Sequence, residues 1–371
     1  MTDAPVLFEE RPTREGYLIG VATLNAPRAL NALSLAMIEQ LSARLTQWAD
    51  DERVVAVWLE GAGEKAFCAG GDIVALYKAI QAGEGGALAE TYFTGEYGLD
   101  YQIHCYEKPL LVWGDGIVMG GGMGLMAGAG HRLVTETSLL AMPEISIGFY
   151  PDIGASWFLN RMPPGIGAYL GLTGAQLNAR DALDLGLADR FVPRESRETL
   201  FEALLSADFD EADDARALQA VVGRVLDRFE NRDQAPAAQL WPHRDHLQRL
   251  TACASATDAA ARILDDDHQD DWLAANRARL AAGCPLSAQL VWQMIRRHSR
   301  TGLAEAFREE LNLSVQCCLK GDLAEGVRAL LIDKDKTPRW SHSSVGAVPK
   351  ADVEALLRPL WNPETHPLRE L

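Results

Sequence analysis

GDGIVMGGGMGLMAGAG, residues 114–130, holds eight glycines in seventeen positions and is the most unusual local composition in the chain. Gly120, Gly121 and Gly122 stand in a row at a cost in backbone entropy. Such a run is kept where backbone must approach a ligand or bend through positive φ, or where helices pack closely. The glycines do not fall as GxGxxG, and no GxxxxGK[ST] occurs in the chain, so dinucleotide and P-loop readings fail. A second glycine turn, KAFCAGGDI at 65–73, also separates a strand-like from a helix-like segment. Two turns that each precede a helix can aim two backbone N–H groups at one point. That is the raw material of an oxyanion hole, where each donor contributes about 3–4 kcal/mol to a developing alkoxide.

The segments around these turns alternate. GYLIGVATLN (16–25) reads as a strand, 33–51 as an amphipathic helix opened near Asn31, and VVAVWLEG (54–61) as a buried strand. PLLVWGDG (109–116) and HRLVTETSLLAM (131–142) each read as one further strand, so parallel strands with helical crossovers are expected. From about residue 195 the pattern changes to Ala, Leu, Arg and Asp at helical spacing. Two parts follow, 1–195 and a mainly helical 196–371, with joints expected near 231–245 and at Gly283-Cys284-Pro285.

AMPEISIGFYPDIGAS (141–156) places Glu144 and Asp152 among apolar side chains, Pro and Gly. Flanked by Met142, Ile145, Ile147 and Phe149, Glu144 should lose hydration, which raises its pKa and makes it a better base or nucleophile near neutral pH. Asp152 has a structural reading as well, as N-cap of a helix starting in IGASWFLNR. No GxSxG elbow is present. Cys68 reads as a small buried hydrophobe, and His243 with His246 lack a third metal ligand in range. The acidic run 265–271 lacks the spacing of a calcium loop and reads as a solvated face.

Composition limits the function classes. With 371 residues, 48% hydrophobic and 23% charged, the chain is that of a folded globular protein, and its net charge of −17 would repel nucleic acid. No apolar run approaches the roughly 20 residues that span a bilayer, and the first residues lack a basic stretch followed by an apolar one. The six cysteines are scattered without CxxC spacing, so a reducing cytoplasm is the expected location.

In this order and spacing, KAFCAGGDI, GDGIVMGGGMGL, AMPEISIGFYPDIGASWFLNR and LTGAQLNARDALDLGLADRFVP (172–193) resemble the crotonase (enoyl-CoA hydratase/isomerase) superfamily over roughly residues 5–195. The resemblance implies an α/β fold, a spiral of ββα repeats, here with an enlarged helical C-terminal region. It also implies an acyl-CoA thioester substrate, a backbone oxyanion hole at Gly71 and Gly121, and no metal or other cofactor, CoA being part of the substrate. The CoA end is then placed near Lys65, Ala66 and Ala69. Hydratases in this superfamily resemble GGGxE followed by PE; here the first acid position is Gly124, which has no side chain. Glu144 with Asp152, and EGVRALLIDKDKTPRW in the second half, are similar to the superfamily's 3-hydroxyisobutyryl-CoA hydrolases. TGEYGLD (94–100) resembles a substrate-contacting stretch of that branch and points to Glu96. On this reading Glu144 activates water or attacks the thioester directly, Asp152 binds the substrate's hydroxyl or orients the water, and Glu96 places the acyl group. A double-bond isomerase or hydratase of the same superfamily and an inactive acyl-CoA-binding protein are the competing readings. The superfamily's trimers imply a homo-oligomer as one option, unless the enlarged helical half covers that interface.

Overall fold

The structure, a computed structural model, describes residues 4–210 and 212–371. The chain forms two compact units that alternate along the sequence. One runs up to Gly71 and adds Leu99–Leu140 and Leu177–Ala238; the other holds Asp72–Gly98, Ala141–Gln176 and Gln239–Leu371.

The strands are β1 (Val6–Pro12), β2 (Leu18–Leu24), β3 (Val54–Gly61), β4 (Ala66–Cys68), β5 (Leu110–Gly114), β6 (Ile117–Met119), β7 (His131–Val134), β8 (Leu139–Ala141), β9 (Leu177–Asn178) and β10 (Arg190–Phe191). Helices α1 (Leu35–Asp50), α2 (Ile73–Gln81), α3 (Gly85–His104) and α4 (Gly121–Ala127) fall between them in chain order. One sheet runs β1-β2-β3-β5-β7-β10 and the other β4-β6-β8-β9. From β3 to β8, each successive strand pair gives its first member to the first sheet and its second member to the other. This is the expected spiral of ββα repeats. In the first sheet β1 pairs antiparallel with β2, and β2, β3, β5, β7 and β10 pair parallel. Val54–Leu59 of β3 is buried without alternation, as a central parallel strand with both faces covered should be. Trp58, Trp113, Leu133 and Phe201 join one apolar cluster with the helices Arg197–Leu205 and Ala215–Asp227. Each fully buried side chain of this size adds roughly 1.5–3 kcal/mol.

Three local expectations are corrected. The stretch 131–142 is not one strand: a turn closed by the Ser138 hydroxyl, which accepts the Thr135 N–H at 2.7 Å, splits it into β7 and β8, which lie in different sheets. The helix α1 is capped by Ser34, whose hydroxyl accepts the Met37 N–H at 3.2 Å, and not at Asn31. Asn31 sits buried with φ 56° and uses its amide to tie Ala26, Ala62 and Ala66 together. Asp152 does not cap the short helix α5 (Ala155–Phe158): the cap position is Gly154, and the Asp152 carboxylate bonds elsewhere.

Beyond β10 the described residues are helical and irregular without a further strand, as expected for the C-terminal region. The expected joint at 283–285 is present, with Gly283 ending the helix Asp271–Ala282 and Pro285 opening the helix Pro285–Arg297. Among the described residues no helix is long and apolar enough to cross a membrane.

Candidate active site

The glycine turns of the first unit come together. A Cβ placed on Gly70, whose φ is 119°, would lie 4.0 Å from the Gly121 nitrogen. A Cβ on Gly122 would stand 2.3 Å from the Cys68 carbonyl oxygen, so the start of α4 rests directly on the end of β4 and no larger residue fits. As the first residue of α4, Gly121 has an N–H with no acceptor in its own helix. Gly71 forms an isolated bridge with Leu33 in which the Gly70 carbonyl accepts the Leu33 N–H; the Gly71 N–H donates to no acceptor among the described residues. Cys68 is fully buried, as read from the sequence.

Lys65 and Ala66 line a cleft of about 560 Å³ with Arg28, Leu30, Asn31 and Glu64. Ala69 stands beside it in sequence, its N–H donated to the Leu30 carbonyl at 3.0 Å.

Gly124 also has a structural reason to be bare. A Cβ there would lie 2.6 Å from an Asp100 carboxylate oxygen, and Asp100, on α3, is fully buried. The place of the side chain missing at 124 is thus taken by a carboxylate delivered from another helix. Sequence spacing gave no hint of it.

In the second unit Glu96, Glu144 and Asp152 are all buried. Glu144 begins a 3-10 turn, Glu144–Ile147, that Pro143 precedes and Gly148 ends in the left-handed conformation. Its Oε2 is buried and accepts no hydrogen bond among the described residues. Loss of hydration chiefly, and then the neighbouring carboxyls of Asp152 and Glu96 wherever they ionise, push the Glu144 carboxyl well above the usual range. Glu96 is raised by burial and then by Asp152. Asp152 is raised chiefly by burial. The rings of Phe93 and Phe149 stack at 5.7 Å, Phe93 lies 5.6 Å from Tyr97 and Tyr97 5.7 Å from Phe307, so aromatic rings pack around Tyr97, the hydrogen-bond partner of Asp152.

Four residues that complete this arrangement were not read from the sequence. Tyr97 bonds an Asp152 carboxyl oxygen at 2.6 Å and the Ser314 hydroxyl at 2.6 Å. Tyr150 bonds Ser314 at 2.8 Å and donates to the Glu310 carbonyl at 2.8 Å. The Glu310 carboxylate accepts the Gly154 N–H at 2.7 Å, the Ser156 N–H at 3.1 Å and the Ser156 hydroxyl. It thereby holds a backbone that resists its conformation. Ile153 has φ 56°, a region that β-branched residues avoid, and such strain persists only where the surroundings enforce it. Glu310 and Ser314 lie four apart within the buried stripe of the helix Leu303–Lys320. Polar residues at helical spacing inside the apolar stripe FREELNLSVQCCL were the available signal.

His243 and His246 lie 3.2 Å from Asp270 and 3.0 Å from Asp266, Arg277 pairs with Asp266 at 3.3 Å, and Asp270 caps the next helix, so the acidic run 265–271 serves local polar contacts and a cap.

A family model described as enoyl-CoA hydratase/isomerase matches residues 19–357. Among curated relatives, the mitochondrial 3-hydroxyisobutyryl-CoA hydrolase of Danio rerio is 38% identical over 340 residues, covering 90% of this chain and 86% of the relative. The protein of the same name from Rattus norvegicus is 37% identical, covering 96% and 89%. Two solved structures resemble the fold closely. An enoyl-CoA hydratase from Rhodobacter sphaeroides superposes with a TM-score of 0.83 at 35% identity, over 95% of this chain and 97% of the other. A carnitinyl-CoA dehydratase from Mycobacterium thermoresistibile gives 0.84 at 32% identity, over 97% of each chain.

Proposed function

The chain belongs to the enoyl-CoA hydratase/isomerase family, and from that premise we propose that it hydrolyses the thioester of 3-hydroxyisobutyryl-CoA to 3-hydroxyisobutyrate and CoA, a step of valine breakdown. The observation that carries the reading is the state of Glu144. It is a buried carboxyl with an unpaired oxygen, raised above its ordinary range and set beside Asp152, in a chain whose relatives bear the hydrolase name over most of its length.

In this mechanism the thioester carbonyl oxygen accepts the Gly71 and Gly121 N–H groups, and negative charge grows there as the tetrahedral intermediate forms. Glu144, when ionised, takes a proton from water as the water oxygen bonds to the carbonyl carbon. The C–S bond then breaks, its electron pair goes to sulfur, and the proton held by Glu144 returns to the thiolate. Asp152 accepts the substrate's hydroxyl and Glu96 limits the space for the acyl group. The cleft at Lys65 and Ala66 takes the phosphate end of CoA, with Arg28 and Lys65 as the cations beside it. No cofactor enters; CoA arrives and leaves as part of substrate and product.

One observation favours a second reading. The Asp100 carboxylate beside Gly124 stands where a hydratase would carry its first acid, and both solved structures above bear hydratase or dehydratase titles. A thiol-release assay on a panel of 3-hydroxyacyl-CoA and enoyl-CoA thioesters separates the two. Hydrolysis releases free thiol, with 3-hydroxyisobutyryl-CoA the best substrate. Change in the enoyl absorbance with no thiol released would establish hydration or isomerisation instead, and tight binding without either would leave a binding protein.

A further inference from the structure

The hydroxyl groups around Asp152 can be counted proton by proton. Four contacts run in series: Asp152 to Tyr97 at 2.6 Å, Tyr97 to Ser314 at 2.6 Å, Ser314 to Tyr150 at 2.8 Å, and Tyr150 to the Glu310 carbonyl oxygen at 2.8 Å. Each is an oxygen pair at hydrogen-bond distance, and each needs a proton between its atoms. Three hydroxyls lie within the series, so they supply three protons for four gaps. The far end cannot help, because a backbone carbonyl only accepts. Tyr150 must therefore donate to that carbonyl, Ser314 to Tyr150 and Tyr97 to Ser314. The gap between Asp152 and Tyr97 is left for a proton that only the carboxyl can bring.

We propose that Asp152 rests as the neutral acid and donates its proton to Tyr97, closing a one-way chain that ends on the Glu310 carbonyl. The surroundings agree. The titratable groups facing Asp152 are Glu96 and Tyr97 on α3, Glu144 and Tyr150 on its own segment, and Glu310, Cys317 and Cys318 on the helix Leu303–Lys320. None is a cation; the Tyr97 contact and a backbone N–H act toward the carboxylate, but burial outweighs them and, with the Glu310 charge, pushes Asp152 to about 7.

The assignment rests on the hydrolase reading for its use and refines it. With its proton committed to Tyr97, Asp152 offers a substrate hydroxyl an uncharged acceptor. Glu144 is then free to ionise without a second negative charge beside it, and two carboxyls in one apolar setting take different roles because their partners differ.

Ser156, His298 and Glu309 form a separate series, with the His298 Nδ1 2.7 Å from the Ser156 oxygen and its Nε2 3.3 Å from Glu309. It has the composition of a hydrolytic triad. However, Ser156 and His298 are buried and the Ser156 hydroxyl is donated to Glu310, so this series anchors Glu310 and offers no nucleophile.

The test is an infrared difference spectrum between wild type and Asp152→Asn at about pH 5.5, where an ordinary aspartate is ionised, with a Ser314→Ala variant alongside. In the difference, the proposal expects a protonated-carboxyl band at that pH which vanishes as pH rises through about 7; an ionised-carboxylate band with no protonated one already at about pH 5.5 overturns it. Removing Ser314 leaves two gaps and two hydroxyl protons, so Asp152 no longer has to bring one. Its titration should move to lower pH by about one unit or more, a change of at least tenfold in proton affinity. A Ser314→Ala protein with an unmoved titration contradicts the count. These spectra need no turnover: a protein that cleaves no thioester loses the proposed function, while the bands still decide the protonation of Asp152.

Discussion

The glycine turns at Gly71 and Gly121 and the carboxyl group around Glu144 are built in opposite ways. The first is made of backbone. Its donors exist because Gly121 opens a helix and Gly71 sits at a bridge, and its side chains matter only by being absent. The second is made of side chains brought from α3, from 144–156 and from the helix Leu303–Lys320, and its backbone matters only as an anchor. A site of backbone is fragile to added atoms, whereas a site of buried side chains is fragile to removed charges and protons.

The largest expected effect breaks the second construction at its centre. Glu144→Gln keeps shape and removes the base, so kcat for thiol release should fall about 10²–10⁴-fold with the melting temperature maintained or raised. Wild-type rates in that variant would remove Glu144 from the mechanism. Next, Gly122→Ala tests the first construction without touching any acid. Its methyl would meet the Cys68 carbonyl, so α4 must shift; the loss of one aligned donor predicts a kcat lower by about 10²-fold, with a stability cost of about 1–3 kcal/mol. An alanine protein with unchanged kcat would show that the start of α4 takes no part. A smaller effect is expected from Glu310→Gln. The amide cannot accept from three donors as the carboxylate does, which leaves a buried N–H or hydroxyl without its partner at about 1–3 kcal/mol. Melting by calorimetry should fall, and amide exchange at Gly154 and Ser156 should accelerate; unchanged exchange would place the anchor elsewhere.

The smallest effect is a trend with pH. Because the folded Glu144 carboxyl is raised, the folded protein keeps a proton that the unfolded chain gives up near the ordinary glutamate value. This contribution is whole below that value and is lost as pH rises toward the folded one. Glutamine does not titrate. Stability of wild type relative to Glu144→Gln should therefore decline with rising pH between the two values, by about 1.4 kcal/mol per pH unit, as read from denaturant midpoints. A flat difference would mean that Glu144 titrates as an ordinary surface acid.

The same contrast separates what the sequence disclosed from what it did not. Backbone sites are local, so GGG at 120–122 and CAGG at 68–71 could be read as turns before helices. β3 was likewise legible, because a central parallel strand is one continuous apolar run. HRLVTETSLLAM was misread as one strand because its break is a side-chain-to-backbone bond from Ser138, invisible to apolar periodicity. Asp152 was open to reading as a cap because Asp before a helix has that local meaning. Its actual partner, Tyr97, lies 55 positions away. Glu310 and Ser314 lie farther still, and only their place in an apolar stripe marked them. Asp100 beside Gly124 was beyond reach, since an absent side chain says nothing about what fills its space.

The unpaired Glu144 oxygen has a consequence for attempts to alter this protein. A buried, desolvated carboxyl opposes folding, and almost any uncharged replacement relieves it. A laboratory population selected for heat resistance alone would therefore accumulate substitutions at position 144, and its hardiest members would be the inert ones. Improvement by selection has to screen for turnover in every round.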